Sequence, residues 1–153
     1  MKMLKIQNKI KDTFKNKYFW YGVSVFIFGI LVNQVVSRWM ELKYGDNLPI
    51  LDDVFFNILP YYDICWVYDL IVIISVSLFV IYAFCKRTKE IPFFLLMFGL
   101  SQLTRGLFIG LTPFGSPKEN GIGIFKSTAF RLGVYPSGHT GSVFLSFLLA
   151  KGR

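Results

Sequence analysis

The sequence predicts an all-α protein, a polytopic bundle of transmembrane helices. Three observations carry that prediction. Of the 153 residues, 54% are hydrophobic and 18% aromatic, well above an ordinary soluble mixture. The charges are segregated rather than scattered, which leaves three apolar stretches of spanning length. A shorter fourth apolar run closes the chain, from Gly138 to Ala150.

Residues 1–17 carry six lysines, Lys2, Lys5, Lys9, Lys11, Lys15 and Lys17, with Ile6, Ile10 and Phe14 four apart among them. That spacing predicts a basic amphipathic helix on the inner membrane surface. From Tyr18 to Ser37 there are 20 residues without a charge, enough to cross a bilayer core as a helix. This run is too long for a signal peptide, and no small-residue cleavage site follows it. Ile64–Phe84 is broken only by Asp69, and Ile91–Leu111 only by Arg105. The expected spans are about 18–40, 64–85, 91–112 and 138–150. The fourth, at 1.5 Å per residue, covers about 20 Å of a core some 30 Å thick, and so reads as truncated.

Between the spans, Gly45, Asp46, Asn47, Pro49 and Pro60 give 41–63 turn chemistry around a short surface helix. Lys86–Glu90 is a tight loop, and Pro92 suits the first turn of the third span. Seven glycines and prolines from Pro113 to Pro136 predict a long loop, a length usually associated with function or disorder.

The net charge is +8, yet its distribution does not point to nucleic acid. Eleven of the 17 basic residues fall on one side if the spans alternate, while 41–63 carries five acids against Lys43. Basic residues stay cytoplasmic, so the N-terminus is expected inside and residues 135–140 outside. The lysines would meet anionic membrane lipids. Cys65 and Cys85 sit near opposite ends of the second span, roughly 30 Å apart by helical rise, too far for a disulfide. No His, Cys or carboxylate cluster has ligand spacing, so neither a metal nor a cofactor is expected.

Counted by depth, Asn33 and Gln34, Asp69, Arg105 and His139 all lie in the outer third of their spans. Asp69 is about 7.5 Å and Arg105 about 9 Å below the surface by helical rise. Ionisable groups at that depth face a bundle interior or a wet cavity. One reading pairs Asp69 with Arg105 across neighbouring helices; another makes Asn33 and Gln34 interhelical hydrogen-bond glue. Gly99, Gly106 and Gly110 would let helices approach closely.

Tyr-Pro-Ser-Gly-His-Thr, at 135–140, opens the fourth span with the chain's only histidine. Pro136 fixes the approach, and Ser137 can cap the free amides. Gly138 leaves those amides bare, and a helix start with exposed N–H groups favours phosphate. His139 can donate a hydrogen bond to a phosphate oxygen or a proton to a departing alcohol. Thr140 adds a hydroxyl, and Arg105, Arg131 and Lys126 are the cations nearest to balance the phosphate charge.

These residues resemble the central Pro-Ser-Gly-His motif of the type 2 phosphatidic acid phosphatase superfamily, which includes lipid phosphate phosphatases and sphingomyelin synthase-like phosphotransferases. Arg105 followed by Leu111-Thr112-Pro113 also resembles the end of the preceding span in that superfamily. The resemblance implies six helices, a site facing away from the cytoplasm, His139 as general acid, and phosphate held by Ser137 and Gly138. The family's first motif, a Lys seven residues before Arg-Pro, has no counterpart; Arg105 or Arg131 could stand in for its arginine. Its third motif, Ser-Arg then His then Asp, supplies the nucleophile and is also lacking. Residues 18–153 are therefore expected to be the N-terminal part of a phosphatase-type membrane domain, with the phosphohistidine formed outside this chain. The substrate would be a lipid phosphate ester. Two readings stay open beside this one: a non-catalytic membrane protein that binds anionic lipid or partner helices, and a small transporter or channel subunit built on Asp69 and Arg105. Nothing in the sequence sets an oligomeric state.

Overall fold

The computed structural model describes residues 11–44, 65–112 and 138–151; among these, all but Asn16, Arg87 and Thr112 are helical. The described residues form four long helices: α1 (Lys17–Tyr44), α2 (Cys65–Lys86), α3 (Ile91–Leu111) and α4 (Gly138–Lys151). A 3-10 turn, Thr88–Glu90, joins α2 to α3. Among the described residues three stretches, Lys17–Tyr44, Asp69–Lys86 and Thr88–Leu111, are long and apolar enough to cross a membrane. The protein is an all-α membrane helix bundle. The fourth helix, at 14 residues, covers about 21 Å.

Local chemistry sets the helix ends. Residues 11–15 form a helical turn that breaks at Asn16. The Asn16 side-chain oxygen accepts from Tyr18 N at 3.0 Å, capping α1. In this turn Thr13, not Phe14, is the buried side chain, with its hydroxyl donating to the Thr88 carbonyl at 3.4 Å. Phe14 stays half-exposed, its ring edge on Phe19 at 4.8 Å. The described end of the basic segment thus docks on the α2–α3 turn through a polar contact. The remainder of that segment and the predicted surface helix and loop at 41–63 and 113–136 lie outside the described residues, save 41–44. Pro92 occupies the first turn of α3, where its missing N–H has no cost.

Exposed tryptophans mark α1 at both ends, Trp20 and Trp39. They are separated by roughly 28 Å of helix, close to the thickness of a hydrocarbon core. Between them Ile27, Phe28, Leu31 and Val35 are exposed, which suits lipid rather than water.

Two helix pairs build the bundle: α1 lies along α3, and α2 along α4. Glycines seven apart fix the first pair. A Cβ on Gly22 would fall 2.6 Å from the Pro92 carbonyl oxygen, and one on Gly99 2.7 Å from that of Val25. One on Gly29 would overlap the Gly99 carbonyl. Further along, Gly106 faces Asn33 and Gly110 faces Val36, so α1 and α3 run parallel in steady register. Close backbone approach is what holds helices together in lipid, where apolar burial adds nothing. In the second pair, Asp69 meets His139 at one end. At the other, Leu149 packs on the cluster of Phe19, Phe79, Ala83, Ile91 and Phe94. Hence α2 and α4 are parallel to each other, and the tight turn after α2 makes them antiparallel to α1 and α3.

Candidate functional site

At the end of the bundle where α4 begins, three helices bring polar side chains together. Asp69 sits in the first turns of α2, and its side chain is only 7% exposed. One of its carboxylate oxygens lies 2.8 Å from Nε2 of His139, whose side chain is 48% exposed. The ring is therefore gripped at one nitrogen and about half exposed. Equal depth had suggested Arg105 as one partner for Asp69; the contact with His139 is one that the depth count did not single out.

Arg105 comes from α3 and is partly buried. Its Nη1 donates to Asn33 Oδ1 at 3.3 Å, and Asn33 Nδ2 donates to Gln102 Oε1 at 2.9 Å. Asn33 is buried, so its amide is oriented by both partners. Gly106 makes this possible, because a Cβ there would sit 3.1 Å from the Asn33 Cα. Gln102 lies one helical turn before Arg105 on the same face. The far end of Arg105 reaches α4. A Cβ placed on Gly138 would be 3.3 Å from both Cζ and Nε of the guanidinium.

The guanidinium, the first turn of α4 and the imidazole are thus contiguous. A fork of N–H donors and a helix start beside an imidazole are groups whose chemistry suits an anion. Among the described residues no group of three or more His, Cys, Asp or Glu could hold a metal ion.

Of the residues singled out in the sequence, Arg105, Gly138 and His139 come together here. Thr140 follows in the same turn and is exposed. Ser137, Lys126 and Arg131 lie outside the described residues. Gln34 does not join the site: one residue beyond Asn33 is a rotation of about 100°, which turns it to the exposed face of α1. Asn33 does act as interhelical glue, and also as the group that steadies Arg105. Two contributors were not singled out as site residues, Asp69 as the histidine's partner and Gln102 as the far end of the amide chain.

A depression of about 310 Å³ lies at the opposite end of the bundle, lined by Asp12, Thr13, Asn16, Thr88, Lys89 and Pro92. It shares no residue with the polar cluster. No protein-family model, no curated protein and no solved structure matches the chain.

Proposed function

We propose that this end of the bundle is a lipid-phosphate site, part of a membrane phosphatase or phosphotransferase that opens away from the cytoplasm. The observation that carries the reading is the convergence of Arg105, Gly138 and His139, with Asp69 behind the imidazole at 2.8 Å. A phosphate ester would rest its charged oxygens on the Arg105 guanidinium and the first amides of α4. His139 would protonate the oxygen of the departing alcohol. Ser137, Thr140, Arg131 and Lys126 would complete the phosphate shell. The likeness of residues 135–140 to the type 2 phosphatidic acid phosphatase motif supports the same chemistry. His139 is the only histidine here, so a phosphohistidine would form on a residue outside these 153. Phosphatidate or a prenyl pyrophosphate has the required charge and an anchor in the bilayer.

The basic residues at the Lys86 end support a cytoplasmic N-terminus. A membrane-impermeant thiol reagent tests this on intact cells, in a chain lacking Cys65 and Cys85. Leu111→Cys should label from outside, and Lys86→Cys should not; the reverse pattern would remove the outward-facing site.

Turnover is tested with the chain extended along its gene, in proteoliposomes containing phosphatidate. The reading expects phosphate release or transfer that His139→Gln abolishes. Phosphatidate binding without turnover in any form would favour the second reading, a non-catalytic membrane protein that holds anionic lipid. A chain that binds no phosphatidate at this end would contradict both.

A further inference from the structure

The Asp69–His139 contact decides more than where the ring sits. A carboxylate oxygen only accepts hydrogen bonds, so a 2.8 Å contact with Nε2 places a hydrogen on that nitrogen. Among the described residues, Asp69 is the ring's hydrogen-bond partner, and half of the imidazole stays open. Nδ1 is then the nitrogen left for a ligand. The second nitrogen of a functional histidine is set in this way by what the first one bonds.

We propose that Asp69 is the positioning residue of this site: by accepting the Nε2–H of His139 it fixes the imidazole tautomer, so that Nδ1 is the atom that meets the phosphate ester. The ligand half of this proposal rests on the lipid-phosphate reading above. The tautomer half does not. In the acid form both nitrogens carry hydrogen, and the Asp69 carboxylate balances the positive ring. The Nδ1–H proton passes to the ester oxygen as the P–O bond breaks. The N–H electron pair stays on Nδ1, the P–O pair stays on the departing oxygen, and the phosphoryl group passes to the nucleophile, a histidine nitrogen or a water oxygen. The ring returns to the neutral Nε2–H form, still donating to Asp69. Burial of the Asp69 side chain, 7% exposed, shields this contact from competing water.

A single histidine makes the test direct, because every imidazole signal belongs to His139. The full chain is labelled with 15N-histidine, purified on a tag without histidine, and placed in phosphatidylcholine nanodiscs. The neutral ring should show a protonated Nε2 and a bare Nδ1. Asp69→Asn keeps the size but can donate as well as accept, so the hydrogen should no longer be confined to Nε2. Adding phosphatidate to the nanodiscs should shift Nδ1 and leave Nε2 bonded. A wild-type ring with bare Nε2 and protonated Nδ1 overturns the proposal, and needs no variant to fold. So does an Asp69→Leu protein, which has no acceptor there, that keeps the Nε2–H tautomer unchanged. An Nε2–H ring whose Nδ1 ignores phosphatidate overturns the phosphate half and the function reading with it, while the positioning role stands.

Discussion

The two ends of the bundle are built on opposite principles. At the Lys86 end, apart from the Thr13–Thr88 hydrogen bond, the packing across helices is apolar: Phe79 packs on Phe94 with ring centroids 5.2 Å apart and on Phe98 at 5.9 Å. Charges there close on near neighbours in sequence, as Arg87 does on Glu90, with both nitrogens of its fork engaged at 2.6 and 2.5 Å. At the His139 end the polar groups reach across helices instead, Asn33 to Gln102 and Arg105, and Asp69 to His139. An end that only had to hold helices together would not need five ionisable or amide groups at that depth. Polar groups within a membrane are costly and mark sites of function. On the function proposed above, the contrast separates packing from chemistry within one small bundle.

Substitutions can break that contrast. The largest effect is expected from His139→Gln, whose amide can still donate to Asp69 but cannot supply a proton. Turnover by the extended chain should fall by about 10²- to 10⁴-fold, the usual contribution of a general acid, with helix content by circular dichroism unchanged. Arg105→Lys keeps the charge and loses the planar fork. Phosphatidate affinity, read by titration in nanodiscs, should weaken about ten- to a hundredfold, as expected for loss of one charge-assisted bond worth about 1.5–3 kcal/mol. Phe79→Ala, at the other end, should do the reverse. In lipid the transfer part of a cavity's cost vanishes and lost packing remains, so stability should drop by about 2 kcal/mol in reversible unfolding from bicelles. Ligand affinity should stay within about twofold, since the packing cluster shares no residue with the polar one. The smallest effect sharpens the comparison on a single helix. Asn33→Ala should cost about threefold in affinity, matching a membrane hydrogen bond of about 0.6 kcal/mol, whereas Gln34→Ala should cost nothing.

What could be read along the chain and what could not divides cleanly. The expected spans, 18–40, 64–85, 91–112 and 138–150, fall within a few residues of helices at Lys17–Tyr44, Cys65–Lys86, Ile91–Leu111 and Gly138–Lys151. Depth was legible too, because each residue of helix adds a fixed rise; Asp69 and His139 do lie at one level. Rotation about each helix axis was not. A spanning helix is apolar on its lipid face and on its packed face, so no hydrophobic stripe says which side turns inward. That is why Asn33 and Gln34 looked alike, and why depth alone did not single out the contact of Asp69 with His139. The glycines held a partial answer. Gly22 and Gly29 on α1 share their spacing of seven with Gly99 and Gly106 on α3, which marks the facing sides. With that face set, Asn33 turns inward four residues after Gly29 and Gln34 turns out.

A photoreactive phosphatidate, with its reactive group beside the phosphate, locates the lipid head most directly when cross-linked to the chain in nanodiscs and mapped by mass spectrometry. Adducts should concentrate at Arg105 and residues 138–140, and disappear when unlabelled phosphatidate competes. Adducts confined to the lysines at 11–17, or spread along lipid-facing side chains such as Leu31 and Leu107, would show that the His139 end holds no phosphate.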